Sequence, residues 1–371
     1  MMGWISFMLH RVQVTSDKFA YDVVTGRGAW RELRRFPLTS YSSIFVLSEK
    51  PLWERWGSTF LGESGLEKAS PRARPILVPP GERSKALRMV EFVARQLLKQ
   101  GADRRSLMIV FGGGVVGDLG GFVASTYMRG IDYVQAPTTV VGQVDSAVGG
   151  KTAVNVGAMK NLVGTFYPPR LVIAEPLVLS TLSERAFRSG LYEVVKHAIL
   201  VGDPFFRQLE RGIGSLHPRQ TRRLEPILAS AVAVKVDVVN RDERETTLRL
   251  VLNLGHTLGH AFEEATGYRR FLHGEAVGWG LLAATRLAER LGLLASGDGE
   301  RIARLVRRVG PLPPIRDVPR AKVLRLLPQD KKAIGGNIRW VLPERVGKVK
   351  IVADVPMKEV AAALKSVTSD Q

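Results

Sequence analysis

A buried-strand pattern runs directly into a glycine-rich turn in the first half of the chain, and this stretch constrains the fold most strongly. The strand is LMIVF (Leu107–Phe111), and the turn GGGVVGD matches G-x-G-x-x-G at Gly112, Gly114 and Gly117. Glycines here let the backbone approach a pyrophosphate, whose charge the free N–H groups of the next helix can bind. The alternative is a tight turn that requires positive φ. The strand context favours a nucleotide site.

Strands alternate with helical patterns over roughly the first 175 residues, which is the order of an α/β domain with a parallel sheet. The sequence also predicts a helix at about 85–100 and further strands at 43–48, 74–80 and 132–138. Beyond these, the pattern is helical nearly to the end, and Ser183 is placed to cap one helix. We therefore predict a Rossmann-like α/β domain at 1–177 and an all-α domain at 178–371. No acidic residue ends a second strand about 20 residues after the glycines, so an ordinary Rossmann arrangement is not expected.

Composition excludes several classes of protein. The 371 residues are 45% hydrophobic and 24% charged, with no cysteine and a formal net charge of +19. The lack of cysteine excludes a disulfide scaffold and favours the cytoplasm. No apolar run reaches the length of a membrane span, and the start lacks the features of a signal peptide. Basic residues are scattered rather than gathered among aromatics, so we expect no nucleic-acid partner.

Three of the six histidines cluster within Asn253–Glu275, at His256, His260 and His273. In a chain without thiolates, imidazole and carboxylate must supply any transition-metal ligands, and these donors suit zinc. His256 and His260 are four residues apart and should share one helix face. Thr257 stands where HExxH requires Glu, which excludes that protease motif. Ordinary polar or core histidines are the alternative.

Two glycines precede a lysine in QVDSAVGGKTAVN (143–155), and we expect a loop that presents the Lys151 ammonium to phosphate or carboxylate. Lys160 and Asn161 add a second cation and an amide shortly afterwards. The alternative is a solvated loop with two surface lysines. Its closeness to the glycine-rich turn favours a site.

A second group of polar residues lies in GLYEVVKH, where Glu193 is three residues from Lys196 and four from His197. These spacings place the side chains on one helix face. An ordinary helical salt bridge, worth a few tenths of a kcal/mol, is the alternative.

Together these segments resemble the dehydroquinate synthase family of sugar phosphate cyclases. The resemblance runs from about Pro80 to Pro343 and rests on several motifs in order. They are GGGVVGDLGGF, APTTVVGQVDSAVGGKTAVN, AMKN, GLYEVVKH, DERETTLR followed by LNLGHTLGHAFE, HGEAV, and DKK beginning at Asp330.

The resemblance implies an NAD-binding α/β domain, a helical domain that binds metal and substrate, one divalent metal (Zn²⁺ or Co²⁺), and a homodimer. The implied reaction converts 3-deoxy-D-arabino-heptulosonate 7-phosphate into 3-dehydroquinate and phosphate, in the shikimate pathway to the aromatic amino acids. It proceeds by transient oxidation with NAD, phosphate elimination, re-reduction and intramolecular aldol closure.

The resemblance also assigns residues, and it differs from the helix spacing because it places His260 beside the substrate. The implied metal ligands are Glu193, His256 and His273. The implied substrate contacts are Arg129, Asp145, Lys151, Asn161, Lys196, Lys235, Arg249, Asn253, His260, Lys331 and Lys332, with Arg129 reaching phosphate across a dimer interface. The implied NAD contacts are Glu82, Lys85, Gly114, Val115, Val116, Gly117, Asp118, Thr138, Thr139, Lys151, Lys160, Val178, Leu179, Ser180 and Thr181.

Three positions depart from the family pattern: Pro80 stands before Gly81 where an acidic residue is common, Glu175 replaces the usual aspartate, and His197 replaces a frequent tyrosine. The alternatives to this function are a sibling cyclase that acts on a related phosphate, a metal- and NAD-dependent polyol dehydrogenase, and a basic binding protein. Asn253, His260 and the DKK lysines favour a substrate with a carboxylate. A polyol dehydrogenase would have no use for the residues implied to bind phosphate, which are Lys151, Asn161 and Lys196. The number of ordered motifs argues against a binding protein.

Overall fold

The chain forms two compact units in the computed structural model, which describes residues 9–157, 159–327 and 338–369. The first unit contains the residues up to Leu182 together with Pro218–Arg244. The second contains Ser183–His217 and the residues from Glu245 onwards. Lys331 and Lys332 lie outside the described residues.

The first unit is an α/β domain. Its strands are β1 His10–Thr15, β2 Ala20–Thr25, β3 Ile44–Glu49, β4 Ala73–Val78, β5 Leu107–Gly112, β6 Asp132–Pro137, β7 Lys151–Val156, β8 Met159–Phe166 and β9 Leu171–Ala174. Its helices are α1 Lys50–Ser64, α2 Leu87–Lys99, α3 Gly114–Thr126 and α6 Thr221–Arg241.

Seven of these strands form one sheet in the order β1-β2-β9-β6-β5-β3-β4, in which only β1 pairs antiparallel. From β3 the chain moves to β4 on one side, and it then returns to β5 on the other side of β3. The switch point of the sheet therefore lies between β3 and β5, and ligands of such sheets bind beyond the carboxyl ends of strands there. This confirms the predicted parallel sheet.

Side-chain alternation along β5 explains why helices cover both faces of the sheet. Met108 and Val110 pack with α2 and α3 residues such as Val93 and Leu119. On the opposite face, the Phe111 ring stacks on Phe60 of α1 at 4.3 Å between centroids. A strand buried on both faces reads as a continuous apolar run, which LMIVF is.

Helix α6 belongs to the first unit although the chain reaches it only after two helices of the second. Val232, Val236 and Val239 follow helical spacing and are buried against Val14 and Val23 of the sheet. The compact units therefore differ from the predicted 1–177 and 178–371 division. Residues 178–182 and 218–244 group with the α/β domain.

The second unit is mainly helical. Its helices are α4 Glu184–Val201, α5 Phe205–Gly212, α7 His256–Ala265, α8 His273–Arg290, α9 Ser296–Arg308, α10 Arg320–Leu326 and α11 Met357–Ser369. Ser183 caps α4 as predicted, because its Oγ accepts the Ala186 N–H at 3.2 Å. Among the described residues, none of the helices has the length and hydropathy needed to cross a bilayer.

The prediction of an all-α second domain is wrong in one respect. Strands β10 Trp340–Arg345 and β11 Lys348–Val352 form an antiparallel hairpin. Its turn contains Gly347 at φ 88°, a conformation that glycine adopts without steric cost. Two short β-prone runs separated only by Val346 and Gly347 are easily overlooked beside long helical patterns.

Two local predictions in the first unit also need correction. Lys85 precedes α2, which begins at Leu87. The segment 143–155 is not a loop: a helical turn at Gly142–Ser146 is followed by β7, which begins at Lys151 and pairs with β8. Gly149 and Gly150, at φ 99° and 65°, make the reversal before that strand.

Glycines let the backbones of α4, α7 and α8 approach closely in the second unit. A Cβ on Gly274 would overlap the Ser189 carbonyl oxygen of α4, and one on Gly280 would overlap the Gly255 carbonyl oxygen beside α7. A Cβ on Gly259 would lie 3.1 Å from the Ala276 carbonyl oxygen. Since these obstacles are backbone atoms, no rotamer change can relieve them.

Glu175 connects two turns of the first unit. Its carboxylate accepts the N–H of Leu177 at 3.1 Å and also the N–H of Gly28. Burial raises the pKa of Glu175 to about 7, although these backbone N–H groups favour the charged form.

The helix contact predicts that Gly280→Ala destabilises the protein. Alanine in a helix is ordinarily about 1 kcal/mol better than glycine. Here the clash with Gly255 should outweigh that gain and lower the free energy of unfolding by about 1–3 kcal/mol, measured in urea. Gly297→Ala in α9 is the matched control, because a Cβ there meets no atom within 4 Å. Equal stability of the two variants would contradict this account of the contact.

The raised pKa of Glu175 predicts a pH-dependent difference between the protein and Glu175→Gln. A carboxyl whose folded pKa exceeds its unfolded value stabilises the fold below the unfolded pKa, and this stabilisation is lost as pH rises through the folded pKa. The free energy of unfolding of the native protein relative to Glu175→Gln should therefore fall by about 2–3 kcal/mol between pH 5 and 8.5. A difference that is constant with pH would show that Glu175 does not titrate in this range.

Candidate active site

The glycine-rich turn lies at the switch point of the sheet, between the end of β5 and the start of α3. A Cβ on Gly112 would lie 2.5 Å from the Val116 Cβ, and one on Gly113 would lie 2.9 Å from the Thr139 Cγ2. Gly113 has φ −74°, and Gly112 and Gly114 are not among the positive-φ residues, so the positive-φ alternative is wrong. Glycine is therefore required at positions 112 and 113 because the backbone packs tightly against the Val116 and Thr139 side chains.

Several residues implied for NAD lie around this turn. Lys85 is buried and forms an ion pair with Asp118 of α3. Burial is the largest influence on the Asp118 carboxyl and raises its pKa, while Lys85 opposes the rise. Thr138 donates its N–H to the Gly112 carbonyl at 3.0 Å. Val178 and Leu179 are buried in the short turn Pro176–Thr181.

Sequence reasoning missed Glu49, a carboxylate at the other side of the switch point. It ends β3, the strand paired with β5, and its Oε1 accepts the Gly81 N–H at 3.3 Å. Burial raises the pKa of Glu49. An acidic residue was expected only on the strand after the glycines, whereas the sheet order brings β3, two strands earlier in the chain, beside β5. An acidic residue there is placed to bind ribose hydroxyls.

The β7–β8 hairpin holds three predicted residues on adjacent strands: Lys151 begins β7, and Lys160 and Asn161 lie on β8. Asn155 ties the hairpin to the predicted NAD residues, because its Nδ2 donates to Glu82 Oε1 at 2.7 Å and its Oδ1 accepts the Asn161 N–H at 2.9 Å. The lysines therefore lie on paired strands and not on a loop, although Lys151 is exposed and Lys160 partly exposed.

Two more predicted substrate residues pair within the first unit. Lys235 of α6 forms an ion pair with Asp145 of the helical turn that precedes β7. Both side chains are largely buried, at 10% and 15% exposure. The ion pair fixes the positions of the Lys235 ammonium and the Asp145 carboxylate, so both groups are placed to bind a polar ligand.

Arg129 lies elsewhere, on the turn that follows α3. Its side chain is exposed, and both Met128 and Arg129 have positive φ, at 48° and 68°. Two successive left-handed residues without glycine are uncommon and cost conformational energy. The turn therefore presents this guanidinium at some conformational cost.

The three residues implied as metal ligands come together in the second unit. Glu193 is in the middle of α4, while His256 and His273 are the first residues of α7 and α8. His256 Nε2 lies 3.4 Å and His273 Nε2 3.2 Å from the same carboxylate atom, Glu193 Oε1. One oxygen and two imidazole nitrogens within 4.8 Å of one another form a donor set suited to zinc or cobalt.

Burial and charge at this group oppose each other. Desolvation disfavours the Glu193 carboxylate, but Lys196 and the two imidazoles together hold its pKa well below the usual range. Lys196 Nζ lies 2.5 Å from Glu193 Oε2, and both side chains are fully buried. Desolvation lowers the pKa of His256 to about 4. Glu193 is therefore held as a buried carboxylate that faces two imidazole nitrogens, and these are the donors that a divalent transition metal requires.

The outer nitrogens of both histidines are also hydrogen-bonded. His256 Nδ1 lies 3.1 Å from the Leu254 carbonyl, and His273 Nδ1 lies 3.2 Å from Glu263 Oε2. Partial burial lowers the pKa of His273, but Glu193 and Glu263 outweigh it and raise that pKa to about 10. Both rings thus direct Nε2 towards Glu193, and a metal would displace the proton that His273 holds there.

Other predicted residues surround this group. His256 and His260 do share a face of α7, with ring centroids 5.5 Å apart, and the His260 and His273 centroids lie 6.0 Å apart. Arg249 is 1% exposed on the turn Leu248–Asn253 just before α7. Asn253 donates from Nδ2 to Glu245 Oε1 at 2.8 Å. His197, which replaces a frequent tyrosine of the family, is fully buried on α4.

Glu263 was not among the predicted site residues, yet His260, Glu263 and His273 form a second group whose potential ligand atoms lie within 4.8 Å of one another. The spacing in the sequence could have identified Glu263. It is three residues after His260 and seven after His256, which places all three on one face of α7. The motif LNLGHTLGHAFE drew attention to its histidines and not to its final glutamate.

Family models match most of the chain. The model described as 3-dehydroquinate synthase N-terminal matches residues 75–189, and the one described as 3-dehydroquinate synthase C-terminal matches residues 190–333. The 3-dehydroquinate synthase of Koribacter versatilis (strain Ellin345) is 41% identical over 363 residues, covering 96% of this chain and 98% of the relative. That of Dictyoglomus turgidum (strain DSM 6724 / Z-1310) is 42% identical over 340 residues, covering 90% and 95%.

Solved structures share the fold across the whole chain. The 2-epi-5-epi-valiolone synthase of Streptomyces hygroscopicus subsp. jinggangensis 5008, with NAD⁺ and Zn²⁺ bound, is 28% identical with a TM-score of 0.85, covering 97% of this chain and all of that one. A 2-deoxy-scyllo-inosose synthase complexed with carbaglucose-6-phosphate, NAD⁺ and Co²⁺ has a TM-score of 0.85 at 24% identity, covering 96% and 99%. With family models matched from residue 75 to residue 333 and relatives at 41% and 42% identity over nearly the whole chain, the protein belongs to the 3-dehydroquinate synthase family.

Proposed function

We propose that this protein converts 3-deoxy-D-arabino-heptulosonate 7-phosphate into 3-dehydroquinate and inorganic phosphate, in the shikimate pathway. The observation that carries the proposal is the Glu193–His256–His273 group, with Glu193 and His256 buried, in a chain of this family. Glu193, His256 and His273 would hold one divalent ion, zinc or cobalt. When bound, that ion would act as a Lewis acid towards the substrate's hydroxyls.

The first unit supplies the features that an NAD site requires. The Gly112–Gly117 turn and the N-terminus of α3 would receive the pyrophosphate, and Glu49 the ribose hydroxyls. When bound, NAD would accept a hydride from the substrate alcohol and return it later in the same turnover. The ion pair between Lys85 and Asp118 would hold the first turns of α3 in position, and with them the free N–H groups at its N-terminus.

The substrate carries both a phosphate and a carboxylate, so it must be held by cations. Arginine offers two parallel donors to such groups, and lysine a single point charge. Arg249, Lys196 and Lys235 are buried, where a charge interacts with a ligand more strongly than it does in water. The remaining members of the proposed binding set are Arg129, Asp145, Lys151, Asn161, Asn253, His260, Lys331 and Lys332.

We also propose that the protein acts as a homodimer in the cytoplasm, where its phosphorylated substrate and NAD would be found. Four large apolar side chains are exposed on β8, at 37–50% of their full area: Met159, Leu162, Val163 and Phe166. A cluster of exposed apolar residues on one hairpin is typical of a protein interface. Arg129 lies on the turn with two successive positive-φ residues. It would reach the phosphate in the active site of the partner subunit.

The reaction is tested with protein stripped of metal and cofactor by chelation and gel filtration. Phosphate release from 3-deoxy-D-arabino-heptulosonate 7-phosphate should require zinc and NAD together, and absorbance at the NADH wavelength should show no net accumulation. Net NADH would indicate a polyol dehydrogenase. Phosphate release from glucose 6-phosphate, which has no carboxylate, but not from the acid substrate would indicate a sibling cyclase.

The metal and dimer assignments are tested together with two inactive variants. His273→Ala should lose both zinc and turnover, whereas Arg129→Ala should lose turnover but retain zinc at the native stoichiometry. In a heterodimer of the two, one site has intact ligands and receives Arg129 from the other subunit. Isolated with two affinity tags, that heterodimer should therefore recover roughly half of the native activity, one intact site of two.

Three results would contradict these assignments. A His273→Ala protein with stoichiometric zinc would remove His273 from the ligand set. An inactive heterodimer would show that Arg129 serves the site of its own chain. A monomeric mass for the active enzyme by light scattering would exclude the dimer.

A further inference from the structure

Glu263 is a buried carboxylate directly behind one of the proposed metal ligands. Glu263 lies on α7 and is 2% exposed, and its Oε2 lies 3.2 Å from His273 Nδ1. The other ring nitrogen, His273 Nε2, lies 3.2 Å from Glu193 Oε1. The His273 ring is therefore held at both nitrogens, with Glu193 on the metal side and Glu263 on the outer side.

His256 is also held at both ring nitrogens, but its outer nitrogen faces a backbone carbonyl and not a carboxylate. Its Nδ1 lies 3.1 Å from the Leu254 carbonyl, while its Nε2 faces Glu193. A carbonyl fixes the tautomer of the imidazole, whereas a carboxylate also raises the basicity of the opposite nitrogen. His273 needs more support than His256, because its side chain is 36% exposed against 9%.

The fold fixes the distance between Glu263 and His273. Glu263 shares a face of α7 with His256 and His260, and α8 begins at His273. The contact of Gly259 with the Ala276 carbonyl keeps the two helix backbones close. A carboxylate on this face of α7 therefore meets the first residue of α8.

We propose that Glu263 is a positioning residue for this enzyme: its carboxylate accepts the Nδ1–H of His273, which holds Nε2 towards the metal and strengthens it as a ligand. The inference rests on the proposed function, since it presumes that His273 binds the metal. It adds to the ligand set a residue that acts through the ligand and does not itself contact the ion.

The geometry also allows a competing arrangement in which Glu263 is itself a ligand. His260, Glu263 and His273 could hold an ion through His273 Nδ1. That choice would leave the fully buried Glu193 carboxylate with His256 and Lys196 but without the ion. A metal bound at Glu193 would instead contact this fully buried carboxylate directly, so the positioning role of Glu263 is favoured.

The experiment measures Co²⁺ and Zn²⁺ affinity of the full-length protein, stripped of metal, by competition with a chelator. Glu263→Ala should bind both ions about 10- to 100-fold more weakly. Glu263→Gln should bind within a few-fold of the native protein, because its amide oxygen can still accept the Nδ1–H. The neighbouring Glu264→Gln is the matched control and should leave both affinities unchanged.

The Co²⁺ absorption bands supply a second readout, because they report the number and type of ligands. The positioning role predicts the same coordination number in the native protein, Glu263→Gln and Glu263→Ala, and no loss of metal in His260→Ala. Equal losses in the Gln and Ala variants, with a changed coordination number, would instead make Glu263 a ligand. Native affinity in Glu263→Ala would overturn both roles, and Glu263→Gln keeps the test decisive if the Ala variant does not fold.

Failure of this inference can be separated from failure of the proposed function. If the native protein needs metal for phosphate release while Glu263→Ala binds metal normally, only the role of Glu263 is refuted. If the native protein binds neither ion, the metal function fails and the positioning role fails with it.

Discussion

The metal group depends on the close approach of three helix backbones in the second unit. Gly274 lies against the Ser189 carbonyl of α4, and Gly280 lies against the Gly255 carbonyl at the start of α7. These contacts bring the first residues of α7 and α8 to the middle of α4, where Glu193 lies. A side chain at either glycine would separate the helices by displacing backbone, and ligands carried by three different helices could not then converge.

That convergence places charge where water cannot reach it. Glu193, Lys196 and His256 are nearly or fully buried, and the group is stable because each ionised atom faces a partner of opposite charge or a ring nitrogen. Burying a single charge would be costly, whereas these charges are paired, and the carboxylate and two imidazole nitrogens that converge here are pre-organised as metal ligands. Glycines serve a comparable purpose in the first unit, where Gly112 and Gly113 let the turn after β5 pack closely against Val116 and Thr139.

Much of this could be predicted from the sequence, since it depends on neighbours along the chain. The strand LMIVF, the glycine turn, the Ser183 cap and the shared face of His256 and His260 are local patterns, and the structure contains all of them. Other features depend on contacts distant in sequence. Helical spacing could not reveal that α6 packs on β1 or that β3 lies beside β5, so the grouping of α6 and the place of Glu49 were missed. Residue spacing alone also grouped His256 with His260 and not with His273, because spacing does not show which helix ends contact α4.

An anomalous difference map at the zinc absorption edge, from crystals of zinc-loaded protein, tests the central claim most directly. The account predicts one peak per chain, bonded to Glu193, His256 Nε2 and His273 Nε2, with the Glu263 carboxylate hydrogen-bonded to His273 Nδ1 and outside the coordination sphere. A peak among His260, Glu263 and His273, or no peak near Glu193, would contradict it.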